Sequence, residues 1–182
     1  SGQYIGGPQV STFEQSFADN VGTRHAIGCN SGTDALILAL RAIGIGPGDE
    51  VITCAFSFFA TAEAISAVGA TPVFVDVDPE TFLIDLNQIE VAITGSTRAL
   101  MPVHLFGRPV DMTRLMDIAS RHDLRVIEDC AHTMGADWNG TKSGNFGLAA
   151  CFSTQTYKHM NSGEGGLLTS NDPDFMARAI IL

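Results

Sequence analysis

Apolar residues in this chain recur with two alternating periods. Phe13, Phe17 and Val21 fall at four-residue intervals on one helical face, Ser11 and Glu14 form a capping-box pair at its start, and Gly22 stops it. A short apolar run at 26–29 then reads as a buried strand. Leu36, Leu40 and Ile43 mark the inward face of a helix over 33–43 that Gly44 ends. The alternation continues with strands at 51–54, 72–75, 99–103, 125–129, 149–153 and 166–169. Between them lie helices over 61–68, around 86–93 behind the cap Asp85, from Asp111 to His122, and from Asp172-Pro173 onward. Trp138-Asn139-Gly140-Thr141 reads as a tight turn. Strands separated by helices of this length build βαβ units, so the predicted class is α/β, a mainly parallel sheet with helices on both faces.

The 182 residues contain no internal repeat, low-complexity tract or obvious linker, and 45% of them are hydrophobic, enough for one core. One domain over 1–182 is expected. The longest apolar stretches, such as 35–40 and 179–182, fall far short of the ~20 residues that cross a bilayer, so a soluble chain without a membrane span is expected. The start, 1–8, lacks the basic and apolar segments of a signal peptide, which makes the cytoplasm the default compartment. Met176, Ala179 and Ile180 begin an apolar face that runs to Leu182 with nothing to pack on. A fragment of a longer chain, or docking on a partner chain, is expected from that.

Formal charge is −10, with eight Arg and two Lys, so the phosphate attraction that nucleic-acid binders rely on is missing and no nucleic-acid partner is expected. Cys29, Cys54, Cys130 and Cys151 sit in or beside apolar runs without Cys-x-x-Cys or zinc-ligand spacing, and read as buried reduced thiols with no metal role. Cys130, beside Glu128-Asp129, is either core filler or part of a pocket wall.

Ligands of open α/β sheets collect beyond the carboxyl ends of strands. After the first strand, Asn30-Ser31-Gly32-Thr33-Asp34 opens a helix whose first N–H groups suit a phosphate, although it is also an ordinary helix start. After 125–127, Glu128-Asp129-Cys130-Ala131-His132 offers a carboxylate able to hold a protonated pyridine nitrogen, or simply a cap. After 149–152, Ser153-Thr154-Gln155-Thr156-Tyr157-Lys158 carries one of the two lysines in a polar stretch, followed by Ser162-Gly163-Glu164-Gly165-Gly166. A surface lysine is the common alternative. A lysine with a lowered pKa can instead attack a carbonyl and form an imine. From these strand-end groups, Asn30, Asp129 and Ser153 are expected to converge at one edge of the sheet.

Tyr4-Ile5-x-Gly7-Pro8, Phe13-Glu14, Ser31-Gly32-Thr33-x-Ala35-Leu36, Pro47-Gly48-Asp49-Glu50-Val51, Pro102-Val103-His104-Leu105-x-Gly107, Val126-Ile127-Glu128-Asp129 and Phe152-Ser153-x-x-x-x-Lys158 are ordered landmarks. Together they resemble the DegT/DnrJ/EryC1/StrS aminotransferases almost from end to end. The resemblance implies the large domain of the fold-type I pyridoxal-phosphate-dependent transferases and a homodimer with active sites at its interface. It also implies transfer of an amino group from glutamate or glutamine to a keto sugar or keto cyclitol. Lys158 becomes the lysine that joins the cofactor through an imine and moves protons. Asp129 pairs with the pyridine nitrogen, Gly32, Thr33 and Ser153 hold the phosphate, and Phe58 stacks on the ring, with Phe59 one register step away. His132 stands where family members often carry Gln and sometimes His. A C-terminal small domain and a phosphate-binding residue from the neighbouring subunit fall beyond Leu182.

Two other readings compete with this one. A dinucleotide-binding oxidoreductase needs Gly-x-Gly-x-x-Gly after the first strand, whereas Gly44-Ile45-Gly46-Pro47-Gly48 follows a helix and reads as a loop. A noncatalytic module that keeps the fold without completing the reaction is the other.

Overall fold

The structure, a computed structural model, describes residues 6–182; Tyr4 and Ile5 of the first landmark, and the start over 1–5, lie outside the described residues. Helix α1 (Pro8–Val21) leads into β1 (His25–Cys29), α2 (Gly32–Ala42), β2 (Glu50–Cys54), α3 (Ala60–Ala67) and β3 (Thr71–Val75). Then come α4 (Leu86–Ala92), β4 (Thr97–Met101), α5 (Met112–Arg121) and β5 (Arg125–Asp129). A hairpin of β6 (Asp137–Trp138) and β7 (Thr141–Lys142) precedes β8 (Ala149–Ser153), β9 (Gly166–Ser170) and α6 (Pro173–Ile180).

Seven strands form one sheet in the order β1-β9-β8-β5-β4-β2-β3. β2 is parallel to β3 and β4, β4 to β5, and β5 to β8. β9 runs against both neighbours, β1 and β8, so the sheet is mainly parallel with one reversed strand. Helices cover both faces. Leu40 of α2, Ile65 of α3 and Phe175 of α6 close over Met101, Ile127 and Leu168 on one side. On the other, Ile89 of α4 and Leu115 of α5 close over Ile52, Leu100 and Val126, and Phe17 of α1 covers Ala150 and Phe152. Each such side chain contributes about 2 kcal/mol by leaving water. Arg178 Nε donates to Ala42 O at 2.8 Å, placing a cation on the carbonyl end of α2.

The first helix departs from the capping-box expectation. It begins at Pro8 with Gly7 as N-cap, because a proline in the first turn is preset in φ and lacks an N–H that needs a partner. Ser11 therefore lies inside the helix, and the Glu14 carboxylate accepts from Gly28 N–H of the edge strand β1 at 2.7 Å. Phe17 and Val21 face the core as expected, but Phe13 is exposed. β4 ends at Met101 rather than at 103, since Pro102 cannot donate to the ladder. Val103 resumes pairing as a single bridge to Asp129. The 138–141 turn forms with Asn139 and Gly140 both at positive φ, the geometry of a two-residue hairpin loop. Among the described residues, no helix is long and apolar enough to cross a membrane.

Candidate active site

The turns after β1, β2, β4, β5 and β8 enclose a cavity of about 460 Å³ at the carboxyl ends of these strands. That lies within the range of roughly 300–1,000 Å³ typical of small-molecule sites. All seven residues singled out from the sequence line it: Gly32 and Thr33 after β1, Phe58 after β2, Asp129 and His132 after β5, and Ser153 and Lys158 after β8. Asn30, after β1, lies at the same sheet edge as Asp129 and Ser153, as expected, but not in the cavity wall. It is exposed, and Ser31 takes its place in the cavity wall.

Ser31 caps α2 in an extended conformation, its Oγ accepting from Asp34 N–H at 3.0 Å. The N–H groups of Gly32 and Thr33 are the first of the helix, with no preceding turn to satisfy them, and they face the cavity end of the helix dipole. Two close approaches hold this helix start against the sheet. A Cβ on Gly32 would lie 2.9 Å from Ser153 Cβ, and a Cβ on Gly166 would run into the backbone of Ser31 and Gly32. Only glycine lets β8, β9 and the N-terminus of α2 meet, and Ser153 ends beside the free amides.

Asp129 is 5% exposed at the end of β5. Its Oδ2 accepts from Thr61 Oγ1 at 2.8 Å, and its Oδ1 from Ala131 N–H at 3.1 Å. Ser57 Oγ lies 2.9 Å from Thr61 Oγ1, extending the chain of hydroxyls to the mouth of the cavity. Thr61 and Ser57 were not picked out from the sequence. Their i, i+4 spacing after a strand end is the signal that marks them.

Lys158 sits on the loop between the antiparallel strands β8 and β9. Thr154 N–H donates to Gly165 O at 2.9 Å, Ser162 N–H to Thr154 O at 2.8 Å, and Thr156 Oγ1 to Gly163 O at 2.9 Å, so the loop is stitched across its base. Burial lowers the Lys158 pKa from the ordinary lysine value, and the Asp129 carboxylate draws it partly back up. The pKa of His132 is also lowered, first by burial and then by the Lys158 charge, with His159 adding to this and Asp129 opposing it. Phe106 stacks on His132 with ring centroids 5.9 Å apart. Cys151 forms part of the wall rather than Cys130, and burial pushes both thiols well above the ordinary value, so neither is a nucleophile at neutral pH. The described cysteines are free.

The chain matches the DegT/DnrJ/EryC1/StrS aminotransferase family along residues 1–182. It belongs to that family. Among its DegT/DnrJ/EryC1/StrS relatives, the GDP-perosamine synthase of Caulobacter vibrioides is 49% identical over 173 residues, covering 95% of this chain and 47% of the relative. The solved structure of S. venezuelae DesV in complex with a ketimine intermediate is 45% identical, with a TM-score of 0.97, over 100% of this chain and 49% of DesV. That of ntda from Bacillus subtilis with bound cofactor PMP is 37% identical, with a TM-score of 0.89, over 96% of this chain and 39% of ntda. The chain thus spans about half the length of the curated family members it matches.

Proposed function

We propose that residues 1–182 are part of the cofactor-binding large domain of a pyridoxal-phosphate-dependent aminotransferase. It moves an amino group from glutamate or glutamine to a nucleotide-linked keto sugar, with a keto cyclitol as the other acceptor. The observation that carries this reading is one cavity shared by a lysine with a lowered pKa, a buried aspartate and a glycine-lined helix start. GDP-perosamine synthase carries a nucleotide-linked amino sugar in its name, which favours the nucleotide-linked acceptor.

The residues fit the cofactor. Gly32 and Thr33 N–H, with Ser153 Oγ, would hold its phosphate at a helix start that a Cβ on Gly32 would push away from Ser153. Asp129 would hold the pyridine nitrogen and Phe58 would lie against the ring, with His132 lining the same cavity. When bound, pyridoxal phosphate supplies an electron sink for the carbon that loses its proton, and carries the amino group between substrates. Lys158 Nζ, with its lowered proton affinity, would be the group that holds the cofactor aldehyde and moves a proton at that carbon. Thr61 donates to Asp129 and keeps the carboxylate aimed at the cavity. Phe58, Phe59, Phe106 and Tyr157 are 66–91% exposed, and a second copy covering them makes the homodimer part of the same proposal.

The test uses the full-length enzyme, reduced with borohydride in the presence of pyridoxal phosphate and mapped by peptide mass. The adduct is expected on Lys158. Lys158→Ala should lose both the adduct and the glutamate half-reaction, whereas Lys142→Ala should keep both, because Lys142 Nζ is engaged by Asn20 O on the surface. An adduct on Lys142, or on neither lysine, sinks the assignment. An adduct on Lys158 without any glutamate half-reaction favours the noncatalytic module.

A further inference from the structure

Beneath Asp129, on the opposite face of β5, lies a fully buried polar pair that the proposed chemistry does not use. His104 and Glu128 have 0% exposed side chains, with Nε2 2.9 Å from Oε2. Val110 N–H donates to His104 Nδ1 at 3.1 Å. That nitrogen therefore carries the lone pair, and Nε2–H donates to Glu128. The remaining acceptor sites of Glu128 are filled by Gly144 N–H at 2.8 Å, Phe146 N–H at 2.9 Å and Gly147 N–H at 2.8 Å. Burial alone raises the Glu128 pKa, but the hydrogen bonds from His104, Gly147 and Gly144 outweigh it and hold the group below the ordinary value. Cys130 Sγ lies within 4.8 Å of both ligand atoms. The four donors on Glu128, His104 Nε2–H and the three backbone N–H groups, leave no open pair for a cation.

The segment that begins at His104 reaches the cavity, where Leu105 lines the wall. His104 N–H donates to Asp129 O at 3.0 Å, and Gly107 N–H to His132 O at 2.9 Å. Between them the chain makes a tight turn with Phe106 at φ 52° and Gly107 at φ 80°. That strained conformation sets the Phe106 ring on His132.

We propose that His104 is a positioning residue: by clamping the 104–110 segment to Glu128 through both ring nitrogens, it fixes Phe106 and His132 relative to Asp129. This rests on the reading of Asp129 and His132 as residues facing the cofactor. The His104 ring ties Val110 to Glu128, and within the segment so held Gly107 N–H and the Phe106 ring both meet His132, which lines the cavity.

The experiment compares full-length wild type with His104→Gln, which keeps a donor for Glu128, and His104→Asn, which keeps an acceptor for Val110. In the cofactor-free enzyme, the His132 ring titration followed by NMR is expected to move up toward the ordinary histidine value in both variants. Loosening the turn admits water, while Lys158, Asp129 and His159 still face the ring. In the loaded enzyme, kcat should fall about tenfold with cofactor affinity within threefold. Phe106→Leu leaves the buried pair intact, should give the same upward shift, and serves if the His104 variants do not fold. A His132 titration indifferent to these changes overturns the proposal. Because that titration needs no cofactor, its failure is separate from failure of the Lys158 assignment.

Discussion

Gly32→Ala probes the cradle at its tightest point. The new methyl carbon would lie 2.9 Å from Ser153 Cβ and 3.3 Å from Ser153 Cα. Carbon atoms rest at about 3.5–4.0 Å, so the start of α2 and the end of β8 must part by at least about 0.6 Å. Overpacking of this kind costs about 1–3 kcal/mol in folding. The effect on the proposed phosphate site is sharper. A hydrogen bond of ordinary length stretched by that amount passes about 3.5 Å and is lost. One charge-assisted bond is worth about 1.5–3 kcal/mol, and 1.4 kcal/mol is tenfold in affinity, so the cofactor Kd should rise about ten- to a hundredfold. Gly166→Ala should be worse, because its methyl meets the backbone of Ser31 and Gly32, which has no rotamer to change. Absorbance titration of the full-length apoenzyme with pyridoxal phosphate measures the first effect, and thermal unfolding of the apoenzyme measures the second. If Gly32→Ala binds the cofactor within threefold of wild type and unfolds at an unchanged temperature, the close approach is not a constraint and the cradle argument fails.

On the proposed reading, Lys158 would react as the neutral amine. Since burial lowers its pKa, the rate of cofactor attachment should rise with pH through a midpoint below the ordinary ~10.4, measured by stopped-flow absorbance. Asp129→Asn removes the charge that draws this pKa upward and should shift the midpoint lower still; a shift to higher pH contradicts the coupling. Thr61→Val keeps the shape of a buried side chain but removes the donor to Asp129 Oδ2. Steady-state kinetics should show kcat reduced about tenfold, a loss of ~1.4 kcal/mol, while wild-type turnover would mean that Asp129 needs no such support.

The strands and their order in the chain were legible because each is a short apolar run between turn residues, and a polar residue after a parallel strand has one place to go. Asp129, Ser153 and Lys158 stood out as candidates on that ground, and only the family resemblance gave them roles. Phe58 and Phe59 could not be separated by pattern, since adjacent aromatic residues differ only by one step of register. In the structure Phe58 lines the cavity and Phe59 becomes the N-cap of α3. Thr61 and Asp129 are separated by 68 residues, and His104 and Glu128 by 24, so no local spacing rule joins either pair. The first helix was misread at its start because the proline in its first turn outweighed a serine that matched the capping pattern.

β9 has a consequence for the order in which the molecule can be made. The strand that follows Lys158 is wedged between the first strand of the sheet and β8, so the two walls of the cradle are joined through a segment synthesised after both of them. A nascent chain that has emerged as far as Lys158 already contains Ser31, Gly32, Asp129 and Ser153, yet β1 has no hydrogen-bonded neighbour in the sheet until β9 arrives. Long-range pairing of this sort folds slowly, because distant segments must be brought together before any contact rewards them. The start of α2, the proposed phosphate site, is thus held in register by a strand made some 130 residues later, between Gly32 and Gly166.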